Sequence, residues 1–293
     1  MSNNPTPNPN KIFTEQENNI MFHKATERAG TGEYDHFFND GIYICKNCGV
    51  PLYSSAFKFD ASCGWPAFDG EIKGAIKQET DVDGRRVEIL CNNCGIHLGH
   101  VFSGEGSTAK NLRHCVNSAS MDFIDENEMN SETNLQVAIV AAGCFWGVQH
   151  YLANLPGVLS TEVGYIGGHV KFPTYKEVCN GQSGHLEAVK VVFDSMEISY
   201  ENLIKYFFEI HDFEQADGQG NDKGDQYLSV VFVQDENQRE VVNNVVSVLT
   251  NKSYKVATTI RDFAKFYAAE DYHQEYYEKS GGSPYCHFHK KIF

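Results

Sequence analysis

Leu135-Gln-Val-Ala-Ile-Val-Ala141 is a near-continuous apolar run, and it leads through Ala142 and Gly143 into Cys144-Phe-Trp-Gly-Val-Gln-His-Tyr-Leu-Ala-Asn-Leu155, where Phe145, Val148, Leu152 and Leu155 recur at helical spacing. The first piece has the texture of a strand buried on both faces, and the second that of a helix with one apolar stripe. The alternation continues downstream. Val158 to Ile166 and Leu186 to Phe193 read as strands, and Ser199 offers an N-cap to a helix carrying Leu203, Tyr206, Phe207 and Ile210. Gln226 to Val233 reads as a strand, Asn237 to Thr250 as a helix and Val256 to Ile260 as a last short strand. The order strand, helix, strand, strand, helix, strand predicts an α+β domain over residues 135–293 with a split βαβ (ferredoxin-like) core.

Upstream the texture changes. Gly41 to Phe123 reads as β structure, with short runs such as Gly41-Ile-Tyr-Ile-Cys45 and Val87-Glu-Ile-Leu90 between turn signals, and Asp83-Gly84 stands where a tight hairpin turn wants it. No helical period is evident there. Residues 41–123 are therefore expected to belong to a separate, mainly-β domain. The stretch IDENEMNSETN, residues 124–134, is acidic and without aromatics, and reads as the linker. Residues 1–25 read as an N-terminal tail or extension, and the Asn- and Pro-rich first ten as mobile. A chain of 293 residues has room for this multidomain arrangement. No internal repeat makes one half a copy of the other.

The formal charge is -15, from 24 Lys+Arg against 39 Asp+Glu, and no Lys or Arg stands between Arg113 and Lys171. Nucleic-acid and anionic-membrane partners require clustered cations, so neither is expected. The start, MSNNPTPNPNKIF, lacks a basic flank followed by an apolar core, and no apolar run reaches the length of a membrane span. A cytoplasmic location is expected. In that reducing compartment nine cysteines point first to metal binding and redox chemistry.

Four of them form two C-x-x-C pairs, Cys45-Lys-Asn-Cys48 and Cys91-Asn-Asn-Cys94, each followed by Gly. Together they offer four thiolates, a closed tetrahedral set for one structural zinc per chain. The competing reading, two independent redox dithiols, is disfavoured because such motifs open a helix beside a βαβ pattern, and these do not. The N-terminal domain is thus read as zinc-stapled. Of its remaining cysteines, Cys115 lies in Arg113-His114-Cys115-Val116-Asn117-Ser118, downstream of His97-Leu-Gly-His100, and Cys63 opens Cys63-Gly-Trp65-Pro-Ala-Phe68. A cysteine nucleophile needs its thiolate stabilised and a proton source, which Arg113 and the histidines could supply. On the residues alone, a structural cysteine among satisfied surface histidines accounts for the set equally well.

The strings GWPAF, HLGHVF and RHCVNSAS, in this order and framed by the two C-x-x-C pairs, resemble methionine sulfoxide reductase B over about residues 26–123. That resemblance makes Cys115 the nucleophile and Cys63 the resolving cysteine. It places Trp65 against the substrate methyl group, and gives His97, His100 and Asn117 the sulfoxide oxygen and its protons. The family commonly has Tyr where His114 stands and Ser where Ala67 stands; His114, beside the nucleophile, is a candidate to influence its ionisation.

In the second half, Gly143-Cys144-Phe145-Trp146-Gly147 puts a cysteine at a strand-to-helix junction, where the positive end of the helix favours the thiolate. Phe145 and Trp146 offer an apolar wall, although ordinary core packing accounts for such a pair as well. GCFWG, followed by Gly164-Tyr-Ile-Gly-Gly168, Tyr175, Gly184-His-Leu-Glu187 and Gln219-Gly-Asn-Asp222-Lys-Gly-Asp-Gln-Tyr227, resembles methionine sulfoxide reductase A. The resemblance implies Cys144 as nucleophile, Phe145 and Trp146 as the methyl-binding wall and Glu187 as the acid. Tyr175 and Tyr227 would bind the oxygen, with Asp222 in support. Family members often have Pro and Arg where Phe213 and Gly218 stand. Cys286, in Gly281-Gly-Ser-Pro-Tyr-Cys286, sits in a tail expected to be mobile, as a resolving cysteine requires, and Cys179 is assigned to packing.

Together the two resemblances imply reduction of both R and S epimers of methionine sulfoxide, free and in oxidised proteins, as peptide-methionine (S)-S-oxide and (R)-S-oxide reductase. Thiolate attack leaves a sulfenic acid, a second thiol condenses with it to a disulfide, and an external dithiol such as thioredoxin restores the enzyme. Protein thiols carry the electrons, so no flavin or nicotinamide is expected, and no dinucleotide fingerprint is present. The alternative is a zinc-ribbon interaction module fused to a single S-epimer reductase. It accounts for the four thiolates but leaves Cys63, Cys115, Trp65 and the two histidines unexplained. A general thiol peroxidase is a further rival, which the aromatic walls disfavour.

Overall fold

A computed structural model describes residues 5–129 and 133–293, and the chain divides into two units, Met1–Met129 and Asn130–Phe293. The first contains helix α1 (Glu15–His23) and strands β1 (Gly41–Cys45), β2 (Pro51–Ser54), β3 (Lys58–Phe59), β4 (Ala67–Phe68), β5 (Ile76–Thr80), β6 (Val87–Cys91), β7 (His97–Ser103), β8 (Leu112–Val116) and β9 (Met121–Asp125). They form two sheets, of order β2-β1-β9 and β3-β4-β8-β7-β6-β5, and every pairing is antiparallel. Aromatic residues join the sheets. The Phe68 ring of the larger sheet stacks on Tyr53 at 4.3 Å and meets the edge of Tyr43 at 5.0 Å, and all three are fully buried. Rings of this size supply most of the apolar area that a small β domain buries.

Three expectations for this unit change. Of the extension over residues 1–25, residues 1–4 lie outside the described residues, and residues 5–25 are not a loose tail. Thr14 and Glu17 close a capping box on α1, Ile20 and Met21 are buried, and the Asn8 amide donates to Asn47 Oδ1 at 2.8 Å. The T-x-x-E capping signature was available in the sequence, but one buried turn in a polar segment leaves no periodicity. Part of the stretch read as linker is folded: Ile124 and Asp125 pair with Ile42 and Gly41 in β9, and Glu126–Glu128 is a 3₁₀ turn. Residues 130–132 of that linker lie outside the described residues. Finally, Asp83-Gly84 sits within a longer loop, residues 81–86, where the Asp83 carboxylate accepts from the Arg85 and Arg86 amides at 2.8 and 3.0 Å.

The second unit is built on strands β10 (Leu135–Ala141), β11 (Val158–Ile166) and β12 (Leu186–Asp194), with the short hairpin β13 (Gly218–Gln219) and β14 (Asp222–Lys223), then β15 (Val230–Val233), β16 (Thr259–Asp262) and β17 (Tyr267–Ala268). Its helices are α2 (Phe145–Ala153), α3 (Tyr175–Cys179), α4 (Tyr200–Glu209), α5 (Glu236–Asn251) and α6 (Tyr276–Ser280). The main sheet runs β16-β15-β10-β12-β11-β17, antiparallel except between β15 and β16. Helices α2, α4 and α5 contribute Val148, Leu152, Leu203, Phe207, Val242 and Leu249 to one core with Val140, Val189, Val191, Phe193 and Val231 of the sheet. Ser199 caps α4 as expected, its hydroxyl accepting from the Asn202 amide at 3.2 Å.

The strand expected over Gln226 to Val233 shortens to Val230–Val233, because Asp225–Tyr227 turns as a 3₁₀ helix that leaves Tyr227 half-buried. The strand expected from Val256 to Ile260 is β16, which begins at Thr259, where it enters parallel register with Val230. Helices α3 and α6 and strand β17 are too short to leave a periodic signal. Among the described residues no helix is long and apolar enough to cross a membrane.

Candidate functional site

Strands β1 and β6 each end in a cysteine that starts a tight turn. Gly49 and Gly95, at φ of +79° and +77°, let each turn close, and their amides donate to the Cys45 and Cys91 carbonyls at 2.8 Å. The two turns converge. All four sulfurs of Cys45, Cys48, Cys91 and Cys94 lie within 4.8 Å of one another, with Cys45–Cys94 at 3.6 Å and Cys48–Cys91 at 3.7 Å. Four ligands about 2.3 Å from a common centre in a tetrahedron stand about 3.8 Å apart, so the cluster has the dimensions of a metal site. Since β1 and β6 belong to different sheets, an ion held here would tie the two sheets together.

Strand β8 carries the first candidate nucleophile, Cys115. Alternation puts Arg113 and Cys115 on one face and His114 on the other. His114 is fully buried with its Nδ1 3.1 Å from the Tyr53 hydroxyl, and burial pushes it down to about 4. It is a neutral core residue, so its suggested influence on Cys115 has no basis in the geometry. Cys115 Sγ lies 3.9 Å from Cys63 Sγ, close enough for a small movement to join them. Burial and the neighbouring Cys63 push the Cys115 thiol up to about 12, with Arg113 pulling the other way. Arg113 is itself engaged, bonding both Glu105 oxygens at 2.7 and 2.9 Å.

The two histidines owe their shared face to a register slip. Between β6 and β7, Ile89 pairs with Gly99 but Leu90 pairs with His97, so Leu98 is extra and residues three apart come together. Their ring centroids are 5.5 Å apart, and His100 stands opposite Cys115 in register. Gly99 is required at the crossing, because a Cβ there would collide with the Cys115 carbonyl oxygen. His97 Nδ1 is 2.7 Å from the buried Glu88 carboxylate, which Lys24 of the extension reaches at 2.6 Å, while His97 Nε2 is buried without a hydrogen-bond partner. Burial holds His97 below its ordinary value. His100 Nε2 is 2.6 Å from Asp81. Asn117 is occupied structurally, accepting from the Glu27 amide and donating to the Leu98 carbonyl, both at 3.0 Å. Trp65 donates to the Glu27 carbonyl at 3.2 Å. Glu27, which the sequence did not single out, thus holds both the tryptophan and the asparagine.

In the second unit Cys144 is the N-cap of α2 and is 9% exposed. Burial and the facing Glu187 hold its thiol well above the ordinary range, against a smaller pull from the Trp146 amide. The helix terminus therefore does not make the resting thiol acidic, contrary to expectation: burial outweighs it. Glu187 lies opposite Tyr165 on β12 and shares the core face of Val189 and Val191. It is 1% exposed, accepts from the Phe145 amide at 3.1 Å, and is raised to about 8 by burial, with Asp222 adding to the effect. Burial also raises the Tyr175 and Tyr227 hydroxyls, and both feel the Glu187 charge. Asp222 accepts from the Tyr285 hydroxyl at 3.0 Å.

The aromatic wall is larger than the sequence suggested. Trp146 stacks on Tyr276 at 3.7 Å and donates to His273 Nδ1 at 3.1 Å, and His273 packs on Phe145 and Tyr175 at 5.1 and 4.5 Å. The aromatic-rich run Tyr272-His-Gln-Glu-Tyr-Tyr277 was the available signal. Cys286 is not in a mobile tail. His287 beside it is 3% exposed, and the Ile292 and Phe293 amides donate to buried Glu209 at 2.7 and 2.9 Å. Its thiol lies against the Cys144 backbone and Asp222. Cys179, assigned to packing, is exposed.

Residues 136–293 match the family model described as peptide methionine sulfoxide reductase, and residues 13–125 match the SelR domain. Peptide methionine sulfoxide reductase B2, chloroplastic, of Arabidopsis thaliana is 52% identical over 126 residues, 43% of this chain, and the chain spans 62% of that protein's length. Peptide methionine sulfoxide reductase MsrA of Saccharolobus solfataricus is 41% identical over 153 residues, 52% of this chain and 86% of that one. Among solved structures, Mxr1 from Saccharomyces cerevisiae in reduced form has a TM-score of 0.51 at 30% identity, covering 56% of this chain and 96% of that one.

The Glu187 environment makes a direct prediction. Raised to about 8, this carboxyl should keep its proton at neutral pH and lose it as the pH climbs through that value. Infrared difference spectra should show one protonated-carboxyl band that titrates near pH 8 and is missing from Glu187→Gln; a band already gone by pH 6 would contradict the assignment.

Proposed function

The chain belongs to the peptide methionine sulfoxide reductase family and joins a SelR domain to it, and on that premise we propose that it reduces both epimers of methionine sulfoxide, each in its own unit. The observation that carries this reading is the pairing of Cys144 with Glu187, a buried acid bonded to the first amide after the thiol. A sulfoxide resists attack until its oxygen takes a proton, and here a protonated carboxyl stands beside the sulfur nucleophile.

In the second unit the substrate methyl group rests on Phe145 and Trp146, and its oxygen meets Glu187, Tyr175 and Tyr227, with Asp222 holding the neighbouring charges in place. Cys144 attacks the substrate sulfur as Glu187 donates to the oxygen. The oxygen passes with that proton to Cys144 as a sulfenic acid, the Cys144 thiol proton returns to Glu187, and methionine leaves. Cys286 condenses with the sulfenic acid, releasing water. In the first unit Cys115 attacks, Cys63 resolves and Trp65 holds the methyl group. His97, His100 and Asn117 manage the oxygen and its protons, and Arg113 favours the Cys115 thiolate. A dithiol protein of the thioredoxin type reopens each disulfide by exchange. Protein thiols carry the electrons throughout, so no flavin or nicotinamide takes part.

Sulfoxide sulfur is a stereocentre, so a site that fixes both methyl and oxygen exposes the sulfur to its thiol for one hand only. The second unit is assigned the S epimer and the first the R epimer. Substrates are methionine sulfoxide free and in oxidised proteins. Zinc is the metal that four thiolates of this spacing suit; held by Cys45, Cys48, Cys91 and Cys94 it would have no open position and a structural role. The strand order β15-β10-β12-β11 supports a split βαβ, ferredoxin-like core in the second unit. We take residues 26–123 and 135–293 as the reductase domains, the first with its folded extension. The cytoplasm is the proposed location, since thiols that must be reduced again after each turnover require a reducing compartment.

One turnover on mixed sulfoxide without reductant should leave two disulfides, Cys63–Cys115 and Cys144–Cys286. Peptide mapping that found Cys115 bridged to Cys286 would overturn the two-site account. Freshly purified protein should contain one zinc per chain. Because metal binding is coupled to folding, Cys94→Ser should lose the metal and R-epimer reduction together while keeping S-epimer reduction; metal-free parent protein with full R activity would exclude a structural zinc.

A further inference from the structure

Cys286 is followed by a histidine that has no part in the reduction described above. His287 is buried, with Nε2 2.6 Å from the Ala142 carbonyl oxygen and Nδ1 3.0 Å from Cys286 Sγ. A carbonyl oxygen only accepts, so Nε2 carries the ring hydrogen and Nδ1 turns its lone pair to the thiol. The seat is built from the nucleophile's own neighbourhood. Ala142 stands two residues before Cys144, and Gly147 leaves room in the first turn of α2, where a Cβ would collide with His287 Nδ1. The second glycine of GCFWG thus makes space for the ring that contacts Cys286.

We propose that His287 is the general base of the resolving step, taking the Cys286 proton as that thiol attacks the Cys144 sulfenic acid. The proposal rests on the reading of Cys286 as resolver. The Cys286 S–H bond breaks and its proton moves to Nδ1, while the sulfur electron pair forms the bond to Cys144 Sγ. The S–O bond of the sulfenic acid breaks, and the departing hydroxide takes the proton from Nδ1 to leave as water. No external oxidant is consumed.

The environment makes such a base necessary and keeps it available. Burial and the Asp222 charge push Cys286 up to about 12, so the unaided thiolate is scarce at neutral pH. Burial depresses His287, with the Ala142 bond and Asp222 opposing, so the ring is free to accept a proton. The titratable groups bearing on this pair are Asp222, Cys144, Tyr277, Tyr285 and His211.

His287→Gln preserves a hydrogen bond to Ala142 and removes the base at Nδ1. In a single turnover of the reduced full chain with the S sulfoxide, methionine release and the Cys144–Cys286 disulfide are followed separately. The disulfide should form about 100-fold more slowly than in the parent, behind a methionine burst of parental amplitude, and the deficit should shrink as rising pH ionises the thiol directly. Disulfide formation at the parental rate would overturn the proposal. Nitrogen NMR of the parent imidazole gives a check that needs no variant: an Nε2-protonated ring supports the assignment, and an Nδ1-protonated ring refutes it. Failure of the underlying reading looks different, since Cys286→Ser would then still form its usual disulfide at Cys144.

Discussion

The Phe145 amide donates to Glu187, and this bond ties the first turn of α2 to the centre of the sheet. It sets where the Cys144 sulfur sits relative to its acid, and it does so with both groups removed from water. Magnitudes decide the protonation states. Raising a carboxyl from 4.5 to about 8 corresponds to roughly 5 kcal/mol against ionisation. A helix N-terminus offers about 1 kcal/mol to a nearby anion. Burial wins, so the resting site holds a protonated acid beside a protonated thiol. That combination suits a substrate whose oxygen must gain a proton before its sulfur can be attacked.

The first unit reaches a comparable state with different parts. Its thiol is also raised by burial, but its neighbours are a second cysteine, a guanidinium and two histidines held by carboxylates. The register slip at Leu98 brings those histidines together, and the cysteine turns at the ends of β1 and β6 link the sheets that carry the site. Here a metal-sized cluster of cysteines lies between strands of both sheets, in a unit short of helices. The second unit relies on three helices packed over its sheet.

Much of this was legible in the residues. Strands β10 and β11 have the expected limits, the first because a near-continuous apolar run can only be buried. The converging C-x-x-C turns were equally readable, since paired thiolates followed by glycine have few other uses. What escaped the sequence was short or long-range. Helix α1 hides in a polar segment, α3 and α6 are under two turns, and the closure of the C-terminal segment depends on Glu209, far away in the chain. Ionisation was the least legible property: the helix position of Cys144 argued for an acidic thiol, and only its burial reverses that. His273, Tyr276 and His287 were missed because their roles depend on partners more than a hundred residues away.

Two differently built sites in one chain make sense if each recognises one hand of the same stereocentre. Exhaustive reduction of a racemic methionine sulfoxide peptide by the full chain, with a dithiol in excess, tests this most directly. The sulfoxide should disappear completely, with both epimers consumed. Consumption that stopped at half, leaving one pure epimer, would contradict a two-handed enzyme.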